Sequence, residues 1–159
     1  MKRIGVTGHR NIPRAAQGHI RAEILAVLRQ HGGAMEALSC LAVGADQLFA
    51  DLALSCGAEL TVVVPSGDYA DGFTEPGELA CYEALRGRAT REVRLAFAHS
   101  TDEAYYAAGA YIADNCDRLL AVWDGCPARG LGGTADIVHY ARDLGKPVTV
   151  IWREGLVRD

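Results

Sequence analysis

A glycine-rich loop between an apolar run and an amphipathic stretch is the part of this sequence best suited to chemistry. The apolar run ends at Trp123, and the loop after it contains Gly130, Gly132 and Gly133 before Thr134 opens a helical pattern. Glycine lets the backbone approach a ligand closely and adopt positive φ. The N–H groups and positive dipole end of the new helix then face that ligand. This order predicts a phosphate or ribose site; the alternative is a plain loop with an N-capping threonine.

Cationic side chains stand in two of the loops that could meet a phosphate. The first apolar run ends with Thr7 and Gly8, and His9 and Arg10 follow directly. A guanidinium can clamp a phosphate through two parallel hydrogen bonds, so Arg10 and Arg129 are predicted phosphate ligands. We also predict that the Thr7–Arg10 loop, including His9, contacts the ligand. The alternatives are a histidine that caps the first strand and arginines that are simply solvated.

Two aspartates are candidates for contact with the rest of the ligand. Asp46 follows Gly44 and Ala45 after the second apolar run, where it could accept hydrogen bonds from ribose hydroxyls or only charge the first turn of a helix. Asp136 lies in the first turn of the last helix, where it complements the helix dipole. It could also bind ribose, or stabilise the positive charge that develops when a glycosidic bond breaks. We retain Asp136 as the one candidate catalytic residue.

Aromatic side chains and one polar loop are further candidates. Tyr105, Tyr106 and Tyr111 could stack on a base, although tyrosines at helical spacing more often pack in a core or a dimer interface. The loop from Ser66 to Phe73 could cover the site or serve only as a connector.

Composition narrows the classes of function. With 159 residues, half of them apolar, the chain is expected to form one domain with a substantial core. The net charge of -4 argues against a nucleic-acid partner. The five cysteines are scattered without metal-ligand spacing, and no apolar run is long enough to span a membrane. We therefore expect a cytoplasmic protein with no metal, no cofactor and no secretory signal.

The periodicity of the apolar residues predicts six strands that alternate with five helices. The predicted strands are Ile4–Thr7, Ala37–Val43, Leu60–Val64, Val93–Ala98, Arg118–Trp123 and Val148–Trp152. Helix one is expected to stop at Gly32-Gly33, helix three to begin at Pro76, helix four to follow a Ser100/Glu103 capping box, and helix five to run from about Thr134 to Asp143. Several strands are continuous apolar runs, as expected when both faces are covered. The pattern predicts an α/β fold: a doubly wound, mostly parallel Rossmann-like sheet with helices on both faces.

Three segments resemble a known protein superfamily. Gly5–Arg10 reads GVTGHR, Leu41–Ala50 reads LAVGADQLFA, and Trp123–Val138 contains WDG followed by ARGLGGTADIV. Together they resemble the SLOG superfamily of Rossmann-like proteins, and in particular its small actinobacterial-type members. That superfamily includes the cytokinin-activating LOG enzymes, the lysine decarboxylase homologues and DprA. The resemblance implies a single SLOG-type domain over residues 1–159, a nucleotide-derived ligand on the glycine loop and a homodimer.

The LOG enzymes hydrolyse the N-glycosidic bond of nucleoside 5′-monophosphates, and their motif reads PGGxGTxxE. Aligned on its Gly-Thr pair, this chain has Gly130 at the first glycine but Leu131 at the second, and Ile137 replaces the glutamate, with Asp136 one residue earlier. The arginine that those enzymes carry in the preceding helix falls near Ala108, in a helix without arginine or lysine. These differences from the LOG motif favour a protein that binds or senses a ligand without strong catalytic activity.

Two other functions remain open from the sequence. One is a phosphoribohydrolase in which Asp136 replaces the missing glutamate. The other is a DprA-like interaction or DNA-handling module. The negative net charge of the chain argues against this function.

Overall fold

The computed structural model describes residues 1–31 and 34–156. Within them the strands are β1 (Lys2–Gly8), β2 (Met35–Ser39), β3 (Glu59–Ser66), β4 (Arg91–Phe97), β5 (Arg118–Val122) and β6 (Val148–Ile151). The helices are α1 (Arg14–Gln30), α2 (Ala45–Ser55), α3 (Pro76–Gly87), α4 (Asp102–Asn115) and α5 (Thr134–Asp143), with a short 3-10 helix at Tyr69–Gly72. The predicted stop of helix one at Gly32-Gly33 lies outside the described residues.

The six strands form one sheet in the order β4-β3-β2-β1-β5-β6, and every paired neighbour is parallel. The predicted doubly wound Rossmann-like architecture is therefore confirmed, with an entirely parallel sheet. The chain winds outward from β1 to the β4 edge and returns through α4 to β5 on the other side of β1. The strand order thus reverses between β1 and β5, where open α/β sheets bind ligands at the carboxyl ends of the strands.

Helices cover both faces of the sheet. The first three helices pack on one face, over a core that includes Ile20, Ile24 and Phe49. Helices α4 and α5 pack on the other face, where Ile112 and Ile137 are almost fully buried. The central strands are buried on both faces, which explains their continuous apolar sequences.

Some predicted boundaries were wrong. Strand two was expected to reach Val43, but β2 ends at Ser39 because the chain turns at Leu41, whose φ is 57°. The predicted Ser100/Glu103 capping box does not form. The N-cap of α4 is Thr101, whose hydroxyl accepts a hydrogen bond from the Ala104 N–H.

None of the described helices combines the length and apolar character needed to cross a membrane.

Candidate functional site

A cavity of about 480 Å³ opens at the carboxyl ends of β1, β2 and β5. Ten of the residues singled out in the sequence line it: Thr7, Gly8, His9, Arg10, Asp46, Arg129, Gly130, Gly132, Gly133 and Thr134. Three others, Gly44, Ala45 and Asp136, are not among its lining residues. The fold therefore brings the three glycine-bearing loops together at the switch point, with three of their residues set back from the cavity.

His9 joins the β1 loop to the glycine loop. Its side chain is 3% exposed, and its Nε2 accepts a hydrogen bond from the Asp124 N–H at 3.0 Å. The same Nε2 lies 3.2 Å from Asp124 Oδ1, and Nδ1 lies 3.4 Å from the Thr134 hydroxyl. The ring also packs edge-on against Trp152. Both ring nitrogens thus contact protein groups, so His9 holds two walls of the cavity at a fixed distance.

The start of the glycine loop is fixed by local hydrogen bonds. The Cys126 N–H donates to Asp124 Oδ1 at 2.9 Å, and the Trp123 indole N–H donates to the Cys126 carbonyl at 2.8 Å. The Asp124 side chain is 1% exposed. Sequence analysis did not identify Asp124 as a site residue, although its place directly after an apolar strand and before a glycine was a usable signal.

The end of the glycine loop packs against α4 and leads into α5. Gly132 has φ 87°, and a Cβ atom there would lie 2.7 Å from the Tyr106 backbone nitrogen. Asp136 Oδ2 accepts a hydrogen bond from the Gly132 N–H at 3.1 Å. The N-cap position is Gly133, without a side-chain bond, so the alternative of Thr134 as N-cap was wrong. Helix α5 begins at Thr134, and its first N–H groups lack acceptors within the helix.

The loop between β2 and α2 is held in a strained conformation. Leu41 is fully buried at φ 57°, a region that bulky side chains rarely adopt. The buried Ser39 hydroxyl donates to the Asp46 carbonyl and accepts from the Leu41 N–H, while the Gln47 amide donates to the Leu41 carbonyl. Sequence analysis missed Leu41, because nothing in its residue type indicates positive φ.

Gly44 and Ala45 bring this loop against the β1 loop. Gly44 has φ 90°, and a Cβ atom would lie 2.4 Å from the Arg10 carbonyl oxygen. The Ala45 N–H donates to the His9 carbonyl at 3.1 Å. A Cβ on Gly8 would in turn lie 2.4 Å from Ala45 Cβ. These residues shape the cavity through backbone packing, which is why glycine is needed at positions 8 and 44.

Asp46 is a buried carboxyl group in the wall of the cavity. The residue is 9% exposed, and its Oδ1 has no hydrogen-bond partner within the described part of the chain. Burial raises the pKa of Asp46 to about 7, against a smaller lowering by a hydrogen bond from the Ala42 backbone and by the charge of Arg10.

Further cavity residues include one that sequence analysis had placed inside a strand and two that belong to its candidates for base stacking or for covering the site. Cys40 was predicted inside strand two but lines the cavity, and burial together with the charge of Asp46 raises its pKa well above the ordinary value. It is therefore a neutral thiol. Tyr69, from the predicted cover loop, and Tyr105, from α4, also line the cavity. The Arg10 guanidinium lies over the Tyr105 ring, 5.6 Å from its centre.

The remaining tyrosines and the polar loop have structural contacts. Tyr106 packs on Tyr140. Ser66 and Ser100 both lie within hydrogen-bond distance of Asp68 Oδ1, and His99 Nδ1 lies 3.1 Å from Asp68 Oδ2. Because the serines and the histidine all bond the same carboxylate, this cluster ties the β3 and β4 loops together and lacks the serine-to-histidine contact of a hydrolytic triad.

No group of three or more potential metal ligands occurs in residues 1–31 and 34–156.

Three solved structures share this architecture. The chain is similar to DNA processing protein A (DprA) from Streptococcus pneumoniae, with a TM-score of 0.67 and 16% identity over 94% of this chain and 50% of that one. For DprA from Helicobacter pylori the TM-score is 0.69, with 13% identity over 99% of this chain and 68% of that one. The fold is Rossmann-like.

A third similar structure is the molybdenum cofactor carrier protein from Chlamydomonas reinhardtii, with a TM-score of 0.54 and 18% identity over 94% of this chain and 75% of that one. No protein-family model matches the sequence, and no curated protein matches it significantly. The chain spans half the length of the Streptococcus protein. At these identities the similarity concerns the fold alone.

Proposed function

We propose that the protein binds a nucleotide, or a related phosphorylated small molecule, in the cavity between β1 and β5 and acts as a sensor or ligand-binding protein. The observation that carries this proposal is the convergence of the glycine loop, the start of α5, two arginines and one buried carboxyl on a single cavity. Its volume of about 480 Å³ falls in the range of roughly 300–1,000 Å³ common for small-molecule sites.

The anionic part of the ligand is assigned to the start of α5. Gly133 and Thr134 line the cavity where the helix begins, and the N–H groups of the first turn suit a phosphate. Arg129 lies earlier in the same glycine loop, and Arg10 lies in the loop that follows β1. Both arginines are exposed, so a phosphate can reach them without a conformational change of the buried core.

The surroundings of Asp136 favour binding over hydrolysis. Its carboxylate accepts a hydrogen bond from the Gly132 N–H and is not part of the cavity lining. Ile137, which stands at the position of the LOG glutamate, lines the cavity with an apolar side chain. A hydrolase would need a carboxylate on the ligand, as in glycoside hydrolysis, and Asp136, the candidate catalytic residue, is engaged in holding the loop.

The similar structures are compatible with this proposal and also suggest a rival. The Chlamydomonas protein is, by its name, a carrier of a small cofactor. The Helicobacter protein is described by its single-stranded DNA binding. The acidic net charge of this chain disfavours DNA, because phosphate contacts dominate such affinity. We also propose that the protein forms a homodimer and is located in the cytoplasm.

The test is proton NMR of the purified protein mixed with AMP and then with a panel of other nucleotides, followed over hours. Broadening of ligand signals with intact nucleotide is the expected result. Release of free base that Asp136→Asn abolishes would instead establish a phosphoribohydrolase. Silence across the panel would refute the assignment of the glycine loop. Light scattering tests the homodimer, and titration with single-stranded DNA at physiological salt tests the DNA-binding rival.

A further inference from the structure

Thr134 brings a buried hydroxyl to the cavity at the first residue of α5. The residue is 5% exposed and lines the cavity together with His9. Its Oγ1 lies 3.4 Å from His9 Nδ1, and residues 1–31 and 34–156 show no other hydrogen-bond partner for it. A hydroxyl can donate one hydrogen bond and accept others, whereas a neutral imidazole nitrogen does only one of the two. The protonation of Nδ1 therefore decides what Thr134 offers to a ligand.

The second ring nitrogen of His9 already faces a proton donor. The Asp124 N–H donates to Nε2 at 3.0 Å. A backbone amide is always a donor, so Nε2 must present its lone pair, because a proton there would face the amide proton. The Asp124 carboxylate, 3.2 Å from Nε2, does not require the ring proton, since its Oδ1 accepts from the Cys126 N–H at 2.9 Å. The backbone thus fixes the tautomer that carries its proton on Nδ1.

With its proton on Nδ1, His9 is a donor to Thr134. The threonine oxygen uses a lone pair to accept this bond, and its own proton has no acceptor among the described residues. The His9 side chain is 3% exposed and packs edge-on against Trp152, which restricts the ring. Because buried polar groups are nearly always satisfied in folded proteins, the hydroxyl proton requires an acceptor that arrives with the ligand.

We propose that His9 is a positioning residue that makes Thr134 a hydrogen-bond donor to the ligand, so that this end of the cavity takes an oxyanion and rejects a group that can only donate. An amine at Thr134 would set two donors against each other. An ionised phosphate oxygen instead completes a chain from the Asp124 N–H through His9 and Thr134 to the ligand, in which every bond points the same way and strengthens the next. The inference rests on the proposed function, since it names the contact that a phosphate makes at α5.

NMR of the wild-type protein labelled with ¹⁵N-histidine measures the tautomer directly. His9 is identified among the five histidines by the NOE between its ring and the Trp152 indole, whose centres lie 5.4 Å apart. We expect a protonated Nδ1 and an unprotonated Nε2, both before and after AMP is added. AMP should also move the Nδ1–H proton downfield, because a hydroxyl that donates to an anion is a better acceptor. Adenosine should leave that proton unmoved.

Calorimetric titration of AMP and adenosine tests the threonine. It uses the wild type, Thr134→Val, Thr134→Ser and the control Thr90→Val, an exposed threonine just before β4 at the opposite edge of the sheet. Thr134→Val removes no helix cap, since the N-cap of α5 is Gly133. It should raise the Kd for AMP at least about tenfold, as expected for loss of a hydrogen bond to a charged group, while the other two variants bind as wild type does. The Kd for adenosine should be the same in all four proteins.

Each other outcome has a definite meaning. A proton on Nε2 with an unprotonated Nδ1 overturns the inference, whatever binds. Equal Kd values for AMP in Thr134→Val and Thr90→Val overturn it and leave the proposed function standing. An equal loss for AMP and adenosine also overturns it, because Thr134 would then contact the nucleoside. If no nucleotide and no inorganic phosphate binds, the proposed function is refuted, and the oxyanion contact with it. The NMR measurement needs no variant, so it decides the role of His9 even if Thr134→Val does not fold.

Discussion

The imidazole of His9 lies against both the backbone and the side chain of Asp124, with Nε2 3.0 Å from the Asp124 nitrogen and 3.2 Å from Oδ1. These residues are 115 positions apart in sequence, and both side chains are almost fully buried. The contact spans β1 and β5 at the point where the strand order reverses. At the switch point of an open α/β sheet a crevice normally separates the two loops that follow the central strands. Here His9 bridges the bottom of that crevice and fixes the distance between the β1 loop and the β5 loop.

His9→Ala should therefore destabilise the protein. The substitution removes the ring from its packing on Trp152 and leaves the Asp124 N–H without its acceptor. A cavity and one unsatisfied buried group together cost about 2–4 kcal/mol. Urea unfolding of the wild type and the variant measures the difference. His19→Ala, at an exposed position on α1, is the matched control and should change stability by less than about 0.5 kcal/mol. Equal stability of His9→Ala and wild type would contradict the role assigned to His9.

Stability should fall as pH rises through the titration of Asp46. The pKa of this carboxyl is about 7 in the folded protein against an ordinary value of 3.8, so the folded state binds its proton more tightly than the unfolded chain does. The stabilising protonation is present at low pH. It is lost progressively from about pH 4, and above about pH 7 the full cost of a buried charge remains. The whole difference amounts to at most roughly 4 kcal/mol.

The measurement is urea unfolding at several pH values from 5 to 8, for wild type, Asp46→Asn and Asp51→Asn. Asp46→Asn should remove most of the decline, because an amide does not titrate, while Asp51→Asn should keep the wild-type slope. Parallel slopes in all three proteins would show that Asp46 titrates at its ordinary pKa and is not desolvated.

Gly132→Ala should be far more harmful than an ordinary glycine substitution. The residue has φ 87°, and a Cβ atom would lie 2.7 Å from the backbone nitrogen of Tyr106. Strain and overpacking together should cost about 2–4 kcal/mol. Gly18→Ala, on the exposed face of α1 with no atom within 4 Å, should instead stabilise by about 0.5–1 kcal/mol. Thermal unfolding compares the two. A neutral Gly132→Ala would show that the loop can move away from α4.

The position of the cavity could be predicted from sequence because glycine placement and strand order act locally. A glycine at or shortly after the end of an apolar run marks a loop at the carboxyl edge of a parallel sheet, and Gly8, Gly44 and the Gly130–Gly133 segment all lie in such loops. The amphipathic stretch after Thr134 likewise located α5 correctly. Local composition was sufficient for both predictions.

The parts that failed depend on tertiary contacts. Cys40 lines the cavity because the chain leaves β2 early, and the turn at Leu41 relies on hydrogen bonds from Ser39 and Gln47. The raised pKa of Asp46 arises from its burial, and the groups that interact with it electrostatically, such as Arg10 and Tyr69, come from separate elements that are distant in sequence. No periodicity or spacing encodes such a combination. Gly132 also has a structural role that does not depend on a ligand, because a side chain at this position would clash with the backbone of α4.

Removal of either cavity arginine should weaken nucleotide binding without unfolding the protein. Arg10 and Arg129 are both exposed and line the cavity on different loops, so Arg10→Gln and Arg129→Gln should each raise the Kd for AMP about tenfold, as expected for loss of a charge-assisted phosphate contact. The wild-type Kd should also rise with salt, and less so in each variant. Titration calorimetry at 50 and 300 mM NaCl measures both effects. Arg21→Gln, an exposed position on α1, is the control and should bind as wild type does. If adenosine binds as tightly as AMP, the cavity does not hold the phosphate at all. If AMP binds more tightly than adenosine but neither cavity variant differs from Arg21→Gln, the phosphate is held by the α5 backbone alone.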